Sequence, residues 1–331
     1  MSTTDVGWLL GIEIGGTKLQ LGLGRRPGSI DHLKRATIDP ARGAEGIREQ
    51  IRKGFLTLRD EVGLSAGDVR AAGVGFGGPL DAETGRTETS FQVEGWTDFP
   101  LADWARENLE IPVVSVHNDA DVAGLAESRL GAGVGCSPLL YLTIGSGIGG
   151  ALILDGRIYR GAGRGAAEIG HLRVPGVAPD DPLDMPELEA VASGWGIGRL
   201  AGNVGKATQK RGDRWSVLEA AGAPERITAV DVADAAWKGD ERSLAILDRA
   251  REALTFALCQ AVALIAPRRI ILGGGVSLIG EKLWFRPIRE RVDAQVFRPF
   301  RGSFDIVPAA LGEEVVVHGA LELARDALAA S

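Results

Sequence analysis

Apolar and polar positions along this chain follow two periods. Residues 8–24, WLLGIEIGGTKLQLGLG, run apolar into Gly15-Gly16-Thr17-Lys18, and alternation resumes at Leu19, Leu21 and Leu23. That spacing predicts a strand, a glycine turn and a second strand. Residues 139–156, LLYLTIGSGIGGALILDG, have the same layout, and Ile12-Glu13-Ile14-Gly15 aligns with Leu142-Thr143-Ile144-Gly145. The two copies form a faint internal repeat and suggest two related domains, each opening on a glycine-turn hairpin. Two short matches also arise by chance, so the repeat alone does not establish duplication.

The stretch VRAAGVGFGGPLD (69–81) predicts another strand running into glycines. IPVVSVHNDADVAGLAESRLG (111–131) predicts a strand ending near His117, then a helix from about Ala120 with Val122, Leu125 and Ala126 on one face and Gly131 as its stop. Residues 203–215, NVGKATQKRGDRW, read as a polar, mobile surface segment. A long helix is predicted from about Glu241 to Ala266, just before Pro267. RRIILGGGVS (268–277) follows as a strand entering a third glycine turn, and residues 315–330 have helical spacing.

Composition narrows the function classes. With 331 residues the chain is long enough for two domains or one large α/β domain, and 45 % hydrophobic with 24 % charged residues is ordinary for a globular protein. The net charge of −7 and the short basic runs at 34–35, 209–214 and 267–269 argue against a nucleic-acid partner. Cys136 and Cys259 are too few for a disulfide framework or a four-cysteine zinc site, and both read as reduced and structural. The polar start lacks a leader pattern, and the longest apolar run, 253–266, is too short to span a bilayer. A soluble, cytoplasmic protein without a membrane partner is the expectation.

Glycine turns after strands suit phosphate binding, because a backbone without Cβ approaches an anion closely and directs several N–H groups at it. No P-loop pattern occurs. Gly73, Gly75 and Gly78 fit Gly-x-Gly-x-x-Gly, as do Gly145, Gly147 and Gly150. A dinucleotide fingerprint must open a helix, yet Pro79 follows Gly78 and the apolar run ALILDG follows Gly150. Two hairpins in one register point instead to the actin-like sugar kinase architecture, with ordinary tight turns as the competing reading. At the strand–helix junction, Asp119 is a candidate general base, its plain alternative being a helix N-cap. Asn118 offers both a donor and an acceptor, which suits a polyol. Asp121, one turn further on, is expected to face solvent.

These motifs together resemble the ROK family (repressors, open reading frames, sugar kinases), and its glucokinase-like members in particular. The resemblance covers nearly the whole chain. It lies in GIEIGGTK (11–18), GVGFGGPLD (73–81), NDADVAGLAE (118–127), residues 142–171, LEAVASG (188–194) and ILGGGVS (271–277), with a weaker echo in HGALELA (318–324). It implies an actin-like ATPase (ribonuclease H-like) two-domain fold. The expected boundaries are 1–118, completed by the helix at 313–331, and 119–312.

The implied activity is ATP-dependent phosphorylation of a hexose or amino sugar, usually at the 6-hydroxyl, by a homodimer. By resemblance Asp119 is the base, and Gly78, Asn118, Asp119, Glu168, His171 and Glu189 bind the sugar. Gly15, Gly16, Thr17 and Lys18, with Thr143, Gly145, Ser146 and Gly147, clamp phosphates, and Gly273, Gly274 and Gly275 border the adenosine. Glu13, where the family more often has Asp, holds Mg²⁺ through water. Each side chain also has a plainer reading: Lys18 as an exposed turn residue, His171 as a structural histidine, Glu189 as an exposed helix residue. The family's repressors place a DNA-binding helix-turn-helix before the first phosphate motif, and here the first strand begins by about Trp8. Two alternatives stay open, a non-catalytic sugar sensor acting through a partner and a kinase using polyphosphate.

One stretch departs from the family. Many members follow Gly-His with a cysteine-rich, zinc-binding loop, whereas EIGHLRVPGVAPDDPLDMPELEA (168–190) has six acids and no cysteine. The expectation is no structural zinc. Glu168, His171 and Glu189 would meet at the sugar. Asp184 would cap a helix through Pro186 and Glu187 that presents Glu189. A hard metal on His171 with Asp180 or Asp181 is the competing reading.

Overall fold

The computed structural model describes residues 7–90, 93–162, 165–175 and 185–331. Asp180, Asp181 and Asp184 therefore lie outside the described residues. In chain order the first half holds β1 (Trp8–Ile14), β2 (Lys18–Gly24), β3 (His32–Thr37), α1 (Gly43–Val62), β4 (Val69–Phe76), β5 (Leu80–Asp81), β6 (Arg86–Thr87), α2 (Leu101–Leu109), β7 (Val113–Asn118) and α3 (Asp119–Leu130). The second half holds β8 (Leu139–Ile144), β9 (Ile148–Leu154), β10 (Arg157–Ile158), α4 (Glu189–Ala192), α5 (Gly194–Arg211), α6 (Ser216–Ala221), α7 (Ala229–Trp237), α8 (Glu241–Ile265), β11 (Arg269–Gly273), α9 (Arg286–Gln295), β12 (Asp305–Pro308) and α10 (Val315–Ala330).

Two five-stranded sheets result, in the orders β3-β2-β1-β4-β7 and β10-β9-β8-β11-β12. The chain forms two compact units, one of residues 1–135, 151–166 and 310–331, the other of residues 136–150 and 167–309. The break falls after Gly135 and not after Asn118 as expected, because α3 packs on α10 and β4 and stays with the first unit.

In the first unit, β1 and β2 form the antiparallel hairpin, with Glu13 opposite Gln20, while β4 lies parallel to both β1 and β7. Apolar side chains cannot fill both faces of this sheet equally, because α10 lies unusually close to one of them. A Cβ at Gly73 would overlap the carbonyl of Ala320, and one at Gly11 would come within 2.8 Å of the Val317 carbonyl. The larger core forms on the opposite face, where Leu19, Leu21, Ile47, Ile51, Phe55 and Trp96 are buried. A buried carboxylate pins the helix: Glu127 accepts backbone N–H bonds from Ala132 (2.7 Å), Ala310 (2.8 Å) and Leu311 (2.9 Å).

In the second unit β11 is parallel to β8 and β12. The long α8 buries Leu247, Ala250, Leu254, Ala257, Leu258 and Ala261 and packs against α4, α5, α7 and α9. The segment expected to be a mobile surface stretch is instead mostly helix, since residues 203–211 belong to α5. After Gly196 and Ile197, the buried positions of α5 are the small residues Ala201, Gly202, Gly205 and Thr208. These small residues let the helix approach Pro224 and Ile227, a contact that no hydrophobic periodicity announces. Glu187 does not sit in a helix either. It bridges Arg173 in antiparallel fashion, and α4 begins only at Glu189, with no side-chain cap from Leu188. Among the described residues no helix is long and apolar enough to cross a membrane.

Candidate active site

The first unit brings the predicted base and the first glycine turn to one point. β4 ends beside β1, and Gly77 N–H donates to the Ile14 carbonyl at 2.8 Å. A Cβ at Gly77 would lie 3.3 Å from Asp119 Oδ2, 3.2 Å from the Ile14 oxygen and 3.5 Å from Gly15 Cα. Asp119 is half-buried at the start of α3, and its Oδ1 accepts from Ala120 N–H at 2.8 Å. The positive end of a helix favours the ionised carboxylate. The cap itself is Asn118, whose Oδ1 also accepts from Ala120 N–H (2.9 Å) while its Nδ2 donates to the Gly78 carbonyl (3.3 Å). Asp121, expected to face solvent, is only 5 % exposed, because the inner side of α3 is covered along most of its length. His117, just before the pair, is buried, and burial together with Arg160 pulls its pKa from 6.5 down to about 4, so the ring is neutral near pH 7.

Glu13 lies at the end of β1 and is 7 % exposed. Burial raises its pKa, a shift opposed by Lys18, whose Nζ lies 3.0 Å away, and by Gln20 Nε2, which donates to Oε2 at 2.7 Å. Lys18 Nζ also donates to the Glu313 carbonyl (3.1 Å), as does Gln20 Nε2 (2.9 Å). Because Lys18 and Gln20 already occupy its oxygens, Glu13 suits a hydrated cation held through water better than direct coordination. Gln20 was not anticipated from sequence, where it reads as the polar step of an alternating strand.

The second unit carries the remaining predicted residues around the second glycine turn. Gly145 N–H donates to the Gly147 carbonyl at 2.9 Å, which closes the turn. Glu189 lies over it: its Oε2 accepts from Ile148 N–H at 3.3 Å, and a Cβ at Gly147 would come within 2.9 Å of that oxygen. Glu168 precedes and His171 ends a single 3₁₀ turn, Ile169–His171, seated on β9. Any Cβ at Gly170 would overlap the Ile148 carbonyl, so glycine is required for that seating. Glu168 and His171 are exposed. His171 and Glu189 come together, and Glu187 joins them, with ligand atoms of the three within 4.8 Å of one another. Gly274, with φ +79° and the Ile144 backbone against it, sets the third turn beside β8.

A concavity of about 350 Å³ adjoins this turn, lined by Gly194, Trp195, Gly198, Arg199, Lys206 and Thr228 among others. Gly194 N–H donates to the Gly145 carbonyl (2.7 Å) and Trp195 N–H to the Ser146 carbonyl (3.3 Å), so its rim is continuous with the glycine turn. Trp195 is 60 % exposed, with the Arg199 guanidinium 4.8 Å from its ring centre. A larger concavity, about 530 Å³, is lined by α1 and α2 residues such as Arg48, Arg52 and Trp104, and none of the predicted site residues lines it.

Of the chain's two cysteines, Cys136 stands before β8 and Cys259 inside α8, where burial raises its pKa.

The ROK family model matches residues 9–327, and the chain belongs to the ROK family. It is 32 % identical over 324 residues to a glucokinase of Thermotoga maritima, covering 96 % of this chain and 97 % of that one. Among solved structures it is similar to a ROK glucokinase from Streptomyces griseus in complex with glucose and AMPPNP, with a TM-score of 0.79, 29 % identity and coverage of 97 % and 100 % of the two chains. A ROK hexokinase from Thermus thermophilus superposes with a TM-score of 0.72 at 27 % identity, covering 98 % of this chain and 100 % of that one. The fold is therefore the actin-like ATPase fold of the ROK sugar kinases.

Proposed function

We propose that this ROK sugar kinase transfers the γ-phosphoryl group of ATP to the 6-hydroxyl of a hexose or amino sugar, with Asp119 as general base. The observation that carries the reading is the convergence at Gly77, where the Asp119 carboxylate and the first glycine turn border one point. A sugar hydroxyl is a poor nucleophile near neutral pH, and a carboxylate that accepts its proton during attack contributes roughly 10²–10⁴-fold. Asn118 fits a sugar hydroxyl through its amide, and the exposed Glu168 and His171, with Glu189, fit the remaining hydroxyls.

Transfer depends on placing and neutralising the phosphoryl group. Backbone N–H groups of Gly16 and Thr17 in the turn that Gly15 closes by donating to the Lys18 carbonyl, the Lys18 ammonium, and the turn formed by Thr143, Gly145, Ser146 and Gly147 are the groups suited to that. Glu13 would hold Mg²⁺ through water, and the ion supplies charge neutralisation across the phosphates. The concavity beside Trp195, together with Gly273, Gly274 and Gly275, is suited to the nucleoside. A donor with a base has a surface to stack on there, whereas polyphosphate gains nothing from it. The protein is proposed to act as a cytoplasmic homodimer, which light scattering on the purified chain would test.

The test is a coupled assay that crosses a panel of sugars with ATP and with polyphosphate, with phosphorus NMR to locate the new ester. Turnover with ATP and at least one hexose, giving a 6-phosphate, is the expected result. Sugar binding without turnover on any pair would favour a sensor and overturn the kinase reading. Turnover with polyphosphate alone would overturn the donor assignment.

A further inference from the structure

Glu187 was anticipated only as part of a helix start, yet it is placed between two side chains that give it another task. Its Oε1 lies 3.2 Å from Arg173 Nη2 and its Oε2 3.5 Å from His171 Nδ1. The backbone around it is a short ladder: Val174 N–H donates to the Pro186 carbonyl (3.0 Å) and Leu188 N–H to the Leu172 carbonyl (2.9 Å). Arg173 Nη1 adds a bond to the Met185 carbonyl at 3.2 Å. Val174 and Leu188 are fully buried and anchor the ladder to the core of the second unit. The two chain ends that frame residues 176–184 are thus joined by hydrogen bonds and an ion pair.

We infer that Glu187, held by Arg173, is the positioning residue for His171. The inference rests on the reading that His171 contacts the acceptor sugar. A histidine ring has two distinct nitrogens, and the partner of one decides what the other can do. A carboxylate facing Nδ1 favours the proton there. Nε2 then presents its lone pair, an acceptor for a sugar hydroxyl. Arg173 balances the carboxylate, so the negative charges of Glu187 and Glu189 beside His171 are not left without a cation. Glu189 has its own anchor at the Ile148 N–H and is not needed to hold the ring.

The test is a double-mutant cycle on sugar binding, using the full-length protein with His171→Ala, Glu187→Ala and both together. Glu187→Ala is expected to raise the sugar KM roughly tenfold, with kcat and the ATP KM near those of the parent. The double variant should be no worse than His171→Ala, since Glu187 acts through that ring. Nitrogen NMR on histidine-labelled protein should show the Nδ1–H tautomer of His171 in the parent and a shift towards Nε2–H in Glu187→Ala. Melting temperatures within about 3 °C of the parent would show that both single variants fold.

Additive losses in the double variant, or an unchanged tautomer, would overturn the inference while leaving the sugar contact of His171 intact. An unchanged sugar KM in His171→Ala would overturn both. A sugar KM that rises after EDTA treatment and dialysis into Mg²⁺, and is restored by added zinc, would overturn the inference in favour of a metal on His171, Glu187 and Glu189.

Discussion

His117 ties the stability of the first unit to pH, and its contribution can be worked through. The imidazole lies in β7 directly before Asn118 and Asp119 and pairs in register with Gly75 of β4. Its pKa falls from 6.5 to about 4 on folding, first through burial and then through repulsion from Arg160. Between those two values the unfolded chain binds a proton that the native protein refuses, so native stability falls as the solution is acidified. At about pH 4.5 the linkage costs about 2.5 kcal/mol, and at about pH 7.5 almost nothing. Against a typical domain stability of roughly 5–15 kcal/mol that loss is large.

The experiment is urea unfolding of the parent and of His117→Gln at both pH values. Carboxylates titrate in both proteins, so the difference between them isolates the ring. The variant should lose about 2 to 3 kcal/mol less than the parent on acidification. Equal losses in the two proteins would refute the reasoning and mean that the ring is protonated in the folded state or reached by water.

Other expectations follow from the same geometry. Glu127→Ala should destabilise the protein by roughly 2–4 kcal/mol in chemical unfolding, because three backbone N–H groups lose their acceptor. Gly73→Ala should cost about 3 kcal/mol or more by forcing α10 off the sheet, readable as a fall in melting temperature. Trp195→Ala should raise the ATP KM roughly tenfold while leaving the sugar KM unchanged in steady-state kinetics. Lys18→Met should lower kcat with ATP by at least about tenfold, and should also raise the pKa of Glu13 further by removing the cation beside it.

Much of the architecture could be read from the chain because backbone requirements leave strong marks. The glycine turns at 15–16 and 145–147, the strand ending at Asn118, the stop at Gly131 and the long helix before Pro267 all depend on local chemistry. What escaped depends on contacts between distant segments. The 203–211 part of α5 carries little hydrophobic signal because its buried positions are Gly205 and Thr208. The helical pattern predicts a solvent face at Asp121, but α3 is covered on most sides and the residue is buried. The spacing from Asp184 predicts Glu187 as the third residue of a capped helix, and only the ladder to residues 172–174 reveals it as a strand-like bridge. Trp195 stood beside a recognised motif, but nothing in its spacing placed it at a concavity.

The central claim is that Asp119 takes the proton from the sugar hydroxyl. Asp119→Asn keeps the shape and the bond from Ala120 N–H but removes the base. Steady-state kinetics with ATP and the preferred sugar, paired with calorimetric sugar binding, test it directly. kcat is expected to fall roughly 10²–10⁴-fold, with sugar affinity changed by only a few-fold. A variant that turns over within about threefold of the parent, or one that simply stops binding sugar, would contradict it.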